Sequence, residues 1–216
     1  MTKFDIQESK RTVSILTDWW EGLGFGMNAQ IFKNMHFADI GKLLTDGKNL
    51  GGLANRVYFG LWNDVAAWPI DPTEPLSIEL AGTQTGELVM KAGKRMFELY
   101  TTEDAAKLDI NVIGEEAGKG YELLLHVFAP GLHKKLLGFM NATKNEDLVM
   151  IAQDSAGQNY LMGCAIRSAK FSASDGSGTG STTDGRRGLG MTFAYRSANL
   201  YVYSGNIPLT EAIGSV

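Results

Sequence analysis

The chain has 216 residues, with 20 Lys and Arg against 24 Asp and Glu, so its formal net charge is −4. Nucleic-acid-binding domains need an excess of basic residues to neutralise phosphates, and this acidic balance argues against that class. Apolar residues make up 44% of the chain and charged residues 20%, which predicts a folded protein. The 26 glycines, about 12% of residues against roughly 7% on average, indicate many tight turns and pliable loops.

Cysteine usage and hydropathy exclude further classes. The one cysteine, Cys164, cannot form an intramolecular disulfide or a multi-cysteine zinc site. The first residues lack a basic segment followed by an apolar one, so no signal peptide is expected. No window approaches 18 apolar residues, so neither a membrane span nor membrane binding is predicted. We therefore expect a chain that is made in a cytosol and stays soluble unless other machinery moves it.

Residues 1–54 are predicted to form an N-terminal extension or arm. The segment contains Trp19, Trp20 and Phe25 among apolar residues without a sustained period, and a short helix is predicted at 37–44. Apolar residues without a helical or strand period cannot bury one another well within the segment, so another surface must cover them. The extension packs either on its own domain or on a neighbouring subunit.

From residue 55 to residue 216 the pattern predicts one domain of short strands. We predict strands at 55–62, 87–90, 94–100, 108–112, 121–128, 148–153, 159–167, 190–196 and 200–203. Two antiparallel hairpins follow from the turns between them, 108–112 with 121–128 and 148–153 with 159–167, and the turn between 87–90 and 94–100 predicts a hairpin or a bulge. The alternation of Leu108, Ile110 and Val112 with polar residues is typical of a half-buried strand.

One helix and one long loop complete the predicted fold. Pro130 and Gly131 end a strand, and an apolar stripe with helical spacing predicts a helix over 132–143. The loop at 172–188 is almost wholly Gly, Ser, Thr and Asp, and loops of this length are usually functional or disordered. The predicted fold class is mainly β: an antiparallel β-sandwich or half-barrel with one flanking α-helix, a long Gly/Ser loop and the N-terminal extension.

The loop and the extension are the segments with least regular pattern, and flexible segments can become ordered on a neighbour. In a lone monomer the loop is expected to be disordered. The residues that we select as candidate subunit contacts are Trp19, Trp20, Phe25, Asp175, Gly178, Thr179, Arg186 and Arg187.

A search for catalytic or ligand-binding patterns predicts none. The run from Gly180 to Arg187 opens like a phosphate loop, but Arg186 replaces the lysine that such a loop requires. Cys164 lies in an apolar run, where a buried inert thiol is expected. The histidines are too scattered for a metal site, and the paired carboxylates fall in turns: His36, His126, His133, Glu103-Asp104 and Glu115-Glu116. We expect no cofactor, no metal and no enzymatic activity.

Eight segments in a fixed order carry a resemblance to a known family. They are RVYFG at 56–60, ELVMKAGKRMFELY at 87–100, GEEAGKG at 114–120, FAPG at 128–131, LLGF at 136–139, VMIAQD at 149–154, GQNYLMG at 157–163 and RRGLGMTF at 186–193. Over residues 55–205 the chain resembles the tail tube proteins of tailed bacteriophages, in the form encoded by phages of Bacteroidetes hosts. The pattern is one of strands, helix and hairpin and contains no chemical signature.

The resemblance implies a virion structural protein of the phage tail. Six copies would close a ring through a continuous inner β-barrel, and rings would stack into a hollow tube. DNA would be a non-specific passing cargo, and the other partners would be further tail proteins. Because the extension before residue 55 departs from the compact family pattern, a head-tail connector or tail terminator ring is the alternative. An alternative of another class is a soluble β-sandwich carbohydrate-binding module with Trp62, Trp68 and Tyr201 as its platform.

Overall fold

The computed structural model describes residues 38–40, 51–73, 75–116, 118–174, 176–179 and 187–211. The chain divides into two compact units, the larger formed by Asp39–Pro72 with Gly82–Val216. In the smaller unit, a single helical turn, α1 (Ile78–Ala81), begins where the Ser77 hydroxyl accepts a hydrogen bond from Leu80 N at 3.3 Å. Residues 1–37 and 41–50, most of the predicted extension, lie outside the described residues.

The described part of the larger unit contains twelve strands and one helix of ten residues. In chain order they are β1 (Leu53–Leu61), β2 (Val65–Ala67), β3 (Thr83–Gln84), β4 (Val89–Met90), β5 (Phe97–Tyr100), β6 (Lys107–Ile113), β7 (Gly120–Pro130), α2 (Lys134–Thr143), β8 (Leu148–Asp154), β9 (Asn159–Met162), β10 (Lys170–Ala173), β11 (Gly188–Ser197) and β12 (Val202–Tyr203). A turn of 3-10 helix, Trp62–Asp64, separates β1 from β2.

The strands form three sheets. A six-stranded sheet has the order β3-β12-β9-β8-β1-β5, a four-stranded sheet the order β10-β11-β7-β6, and a two-stranded sheet pairs β2 with β4. Every pairing is antiparallel except that of β12 with β3. The predicted fold class, mainly β with a sandwich-like stack of antiparallel sheets, is confirmed.

The main core lies between the four-stranded and six-stranded sheets. Alternate residues of β7 and β11 face it, among them Leu125 and Phe193, which are both fully buried. Met150 of β8 meets them from the six-stranded sheet. Because successive side chains of a strand point to opposite faces, every second residue of these strands points into this core.

The six-stranded sheet is buried on its other face as well. Val149 and Ile151 of β8 point away from the main core into a second cluster, together with Met90 of β4 and Tyr203 of β12. A strand that is covered on both sides reads as a continuous apolar run, and the first five residues of β8 are all buried.

The predicted flanking helix is present as α2, two residues shorter than predicted at its start. It begins after His133, whose ring Nδ1 accepts a hydrogen bond from Leu136 N at 3.3 Å and caps the helix. Leu136 is buried in the main core, and Phe139 packs edge-on against Phe59 of β1, with 4.6 Å between ring centroids. The helix thus adds to the main core beside β1.

Three predicted elements need correction. Residues 87–90 and 94–100 do not form a hairpin, because β4 pairs with β2 and β5 pairs with β1. The predicted strand 159–167 ends at Met162, since Gly163 has a φ of 143° and the chain then turns between Cys164 and Arg167. The described part of the predicted helix 37–44, Ala38–Ile40, has no regular structure.

Candidate functional site

The free edge of β6 is the most exposed apolar feature of the four-stranded sheet. β6 pairs with β7 from Lys107↔His126 to Ile113↔Gly120, and among the described residues no strand pairs with its other edge. Ile110 is 47% exposed and Val112 65% exposed, so the predicted half-buried strand keeps part of its apolar face in solvent. An unpaired edge with exposed apolar side chains is a template for another chain.

The opposite edge of the same sheet is β10. Its partner is β11, with Phe171 opposite Phe193, and its other side pairs with no strand in the described part of the chain. Just before β10, Ala169 exchanges two backbone hydrogen bonds with Leu148 of β8, at 2.8 Å and 2.9 Å. This exchange joins the four-stranded sheet to the six-stranded sheet at one corner.

The free edges of β6 and β10 run in opposite directions. Each of the three pairings between β10, β11, β7 and β6 is antiparallel, so β10 is parallel to β7 and antiparallel to β6. A neighbouring copy in the same orientation would therefore bring its β10 antiparallel to β6 of the first copy. The sheet is continued by head-to-tail contact without any change of pairing type.

The outer face of the four-stranded sheet, opposite the main core, carries polar side chains that bond across strands. Thr192 Oγ1 lies 3.0 Å from His126 Nδ1, and His126 Nε2 lies 3.3 Å from Asp109 Oδ2. Asp109 also accepts a hydrogen bond from Lys107 Nζ at 2.6 Å, and this bond holds the pKa of Asp109 below its ordinary value. We call Lys107, Asp109, His126 and Thr192 the outer ladder.

The outer ladder brings a hydroxyl, an imidazole and a carboxylate together in the order of a hydrolase triad. Thr192 is only 7% exposed, however, and the Lys107 ammonium already satisfies Asp109. The arrangement is that of neighbouring polar residues on three paired strands. The sequence alone places His126 within an apolar strand and predicts no partner for it. The pairing register Lys107↔His126↔Thr192 is the signal that would have found the ladder.

A cavity of about 480 Å³ lies where β10 begins. Its walls include two charge pairs: Arg196 Nε donates to Glu122 Oε1 at 2.8 Å, and Lys170 Nζ lies 3.4 Å from Asp147 Oδ1. Asp147 also accepts a hydrogen bond at 2.6 Å from Ser168 Oγ, and this bond holds the pKa of Asp147 below its ordinary value.

Arg167, which also lines the cavity, has no side-chain hydrogen bond or ion pair among the described residues. Ile166, beside it in the turn, is 86% exposed. The turn before β10 therefore combines an unpaired cation with an uncovered apolar side chain.

Three of the candidate subunit contacts fall within the described residues. Gly178 exchanges two backbone hydrogen bonds with Gly188, at 2.9 Å and 3.1 Å, while Thr179 and Arg187 are exposed. Farther back in the loop, Ser177 Oγ donates to Gly190 O at 3.0 Å. The described parts of the predicted loop are thus bonded to β11 of their own chain. The other candidates lie outside the described residues: Trp19, Trp20, Phe25, Asp175 and Arg186.

The aromatic residues of the carbohydrate alternative are only partly brought together. The rings of Trp62 and Trp68 lie 6.2 Å apart and are tilted by 40°, and Trp62 Nε1 donates to Cys164 O at 2.8 Å. Tyr201 is half-buried, and burial raises the pKa of its hydroxyl. The sequence predicted a buried Cys164, and this is wrong: the residue lies at the turn and is only half-buried.

The described residues offer neither a metal site nor a membrane-spanning helix. Among the described residues, no group of three or more His, Cys, Asp or Glu is close enough to hold a metal ion. In the same residues no helix is long and apolar enough to cross a membrane.

Comparison with known proteins adds no relative. No family model, no curated protein and no solved structure matches the chain. The features that bear on function are therefore the free edges of β6 and β10 and the sequence resemblance.

Proposed function

We propose that the chain is a tail tube subunit of a tailed bacteriophage: a virion structural protein, assembled in the bacterial cytoplasm, whose hexameric rings stack into a conduit for DNA. The observation that carries this proposal is the four-stranded antiparallel sheet with free edges that run in opposite directions, one of them apolar. The sequence resemblance supplies the six-fold ring and the stacking.

Head-to-tail association removes the exposed edges of such a sheet. When one copy pairs its β10 with β6 of its neighbour, two edges are covered and one edge stays free at each end of the pair. Only closure into a ring covers all of the edges. A closed ring of these sheets is a β-barrel, because each sheet continues into the next. In such a ring the exposed apolar edge of Ile110 and Val112 would be covered by the neighbouring copy.

The polar face of the four-stranded sheet suits a channel that passes DNA. Its other face is covered by the six-stranded sheet, so the outer ladder is the face available to the lumen. The cations Lys107 and Arg196 are each paired with a carboxylate of their own chain, Asp109 and Glu122. Cations that are neutralised by their own chain, as these two are, release few counterions from DNA and therefore bind it weakly.

Negative-stain electron microscopy of the purified protein, and of particles that contain it, tests the proposal. We expect six-fold rings and stacked tubes. A strictly monomeric protein, both at high concentration and in particles, would overturn it. Single rings that never stack would favour the head-tail connector or tail terminator instead.

The carbohydrate-binding module is the second candidate, and one observation favours it. Trp62 lines the cavity at the start of β10 and contacts Trp68, and aromatic faces beside polar groups are common in ligand sites. A glycan array separates the candidates: binding by a monomer that is lost in Trp68→Ala would support this function.

A further inference from the structure

Two surfaces at opposite edges of the four-stranded sheet are complementary in charge and in apolar exposure. We define the acidic edge as the exposed apolar residues of β6, Ile110 and Val112, with the two glutamates of the following turn, Glu115 and Glu116. Both glutamates are exposed, and neither side chain has an ion pair or hydrogen bond within the described part of the chain.

The second surface is the turn that leads into β10. We define the basic turn as Ile166, Arg167 and Lys170. Among the described residues of the larger unit, Ile166 is the most exposed large apolar residue apart from Ile40, and Arg167 lacks a partner. Lys170 is paired with Asp147, but 71% of its side chain stays exposed. An apolar group and an unpaired cation thus lie side by side.

The two surfaces lie at the same end of the sheet. Asn111 of β6 is opposite Glu122 of β7, which is opposite Arg196 of β11, so these residues form one row across the sheet. Lys170 lies two rows away, opposite Ala194, in the row that contains Asp109. The end of β6 and the beginning of β10 are therefore at one level, although they are separated by the width of the sheet.

We propose that the acidic edge of one copy docks on the basic turn of the next copy. In this contact Val112 and Ile110 cover Ile166, and Glu115 and Glu116 pair with Arg167 beside the cavity. The proposal rests on the proposed ring assembly and adds the residues that form its junction. Neighbouring copies in one orientation hold both surfaces at the same level, which the contact requires.

A two-fold contact between two β6 edges is the competing arrangement, since two such edges can also pair antiparallel. That dimer would cover Val112 and Ile110, but it would leave β10 unpaired and Ile166 in solvent. The head-to-tail contact covers both edges and matches the unpaired Arg167 with carboxylates. The occupant of the acidic edge is therefore the basic turn of a second copy.

Reciprocal charge reversal tests the junction. One variant carries Glu115→Arg with Glu116→Arg, and the other carries Arg167→Glu. We expect each variant alone to lose rings, because every junction then joins like charges. A mixture of the two should recover rings in which the variants alternate, since each acidic surface again meets a basic one. Recovery on mixing also shows that both variants are folded.

The control carries a double reversal at exposed glutamates outside the two defined surfaces, Glu103→Arg with Glu211→Arg, and should keep its rings. If both reversed variants form rings as well as the parent protein, the junction is wrong while the tube function stands. If the parent protein itself forms no rings, the proposed tube function is wrong, and the junction that rests on it is wrong as well. A defined two-fold dimer of the parent protein, measured by light scattering, would overturn the head-to-tail contact.

Crosslinking gives a readout that does not depend on charge. In a Cys164→Ala background, Val112→Cys with Ile166→Cys and a short bismaleimide should give a ladder of products up to six chains. A control pair, Leu137→Cys with Ile166→Cys, uses a residue of α2 that is 45% exposed and should give no such ladder. A ladder from the control pair alone would contradict the proposed junction.

Discussion

Leu148 and Ala169 are 21 positions apart in the chain and exchange both of their backbone hydrogen bonds, at 2.9 Å and 2.8 Å. Leu148 begins β8 of the six-stranded sheet, and Ala169 precedes β10 of the four-stranded sheet. Both residues are fully buried. The link makes the position of the free edge β10 depend on the packing of the core, so stability and assembly are coupled at this corner.

Overpacking at this corner should destabilise the fold. Ala169→Leu adds three carbons at a position with no exposed surface, and we expect a loss of about 1–3 kcal/mol in the free energy of unfolding. Urea unfolding followed by circular dichroism measures the loss. Ala165→Leu, at an exposed position of the adjacent turn, is the matched control and should change the value by less than about 0.5 kcal/mol. Equal losses in the two variants would contradict the account of the corner.

Charges on the apolar edge should prevent assembly without unfolding the subunit. Ile110→Lys with Val112→Lys places two cations on an edge strand, and Lys at such edges disfavours pairing with another chain. We expect rings to be lost, as judged by negative stain, while the melting temperature of the monomer changes little because both positions are exposed. Ile70→Lys, at a residue that is 66% exposed outside this sheet, should leave the rings intact.

Two glycines should respond in opposite ways to a methyl group. A Cβ on Gly188 would collide with the carbonyl oxygen of Ala129 and lie 2.6 Å from the ring of Phe128, whereas a Cβ on Gly138 meets nothing within 4 Å. We expect Gly188→Ala to cost about 1–3 kcal/mol and Gly138→Ala, in the interior of α2, to gain roughly 0.5–1 kcal/mol. Urea unfolding of both variants measures the difference, and a gain for Gly188→Ala would contradict the close packing of β11 on β7.

Acid should weaken the outer ladder. The hydrogen bond from Lys107 holds the pKa of Asp109 below 3.8, so the folded chain binds fewer protons than the unfolded chain. The contribution of Asp109 is then present above about pH 4 and is lost as the pH falls through the lower folded pKa. Asp109→Asn should flatten the loss of stability on acidification. The effect is small because 39% of the side chain is exposed.

Unfolding by urea between about pH 2 and pH 6 measures that slope. Glu103→Gln, an exposed carboxylate in the turn before β6, is the control and should keep the acid slope of the parent protein. Superimposable curves for Asp109→Asn and the parent protein would show that the ladder does not contribute.

Local pattern predicted most strands of the larger unit because their alternation and turns are encoded within a few residues. The hairpin of β6 and β7 follows from Gly118 and Gly120 between two apolar segments, and β8 follows from its continuous apolar run. The error at 87–100 has the opposite cause. The turn at Gly93 is real, with a φ of 70°, but the partners of β4 and β5 lie at least 20 residues away in sequence.

The candidate site was harder to predict because it depends on which edges remain free. The alternation of apolar and polar residues identifies β6, but it does not show that Val112 stays exposed to solvent. β10 went unpredicted because its four residues run directly into the Gly/Ser segment. The outer ladder joins residues from three strands and is visible only once the register of β6, β7 and β11 is known.

The four-stranded sheet has an even number of strands, and this limits how many strands can be added or removed if the junction is to be kept. With an even number of antiparallel strands, its outer edges point in opposite directions. One strand more or fewer would make the edges point the same way, and a head-to-tail junction would then need a parallel ladder with slanted hydrogen bonds. Variants of this subunit can therefore widen or narrow the sheet by whole hairpins, two strands at a time, and keep the same junction.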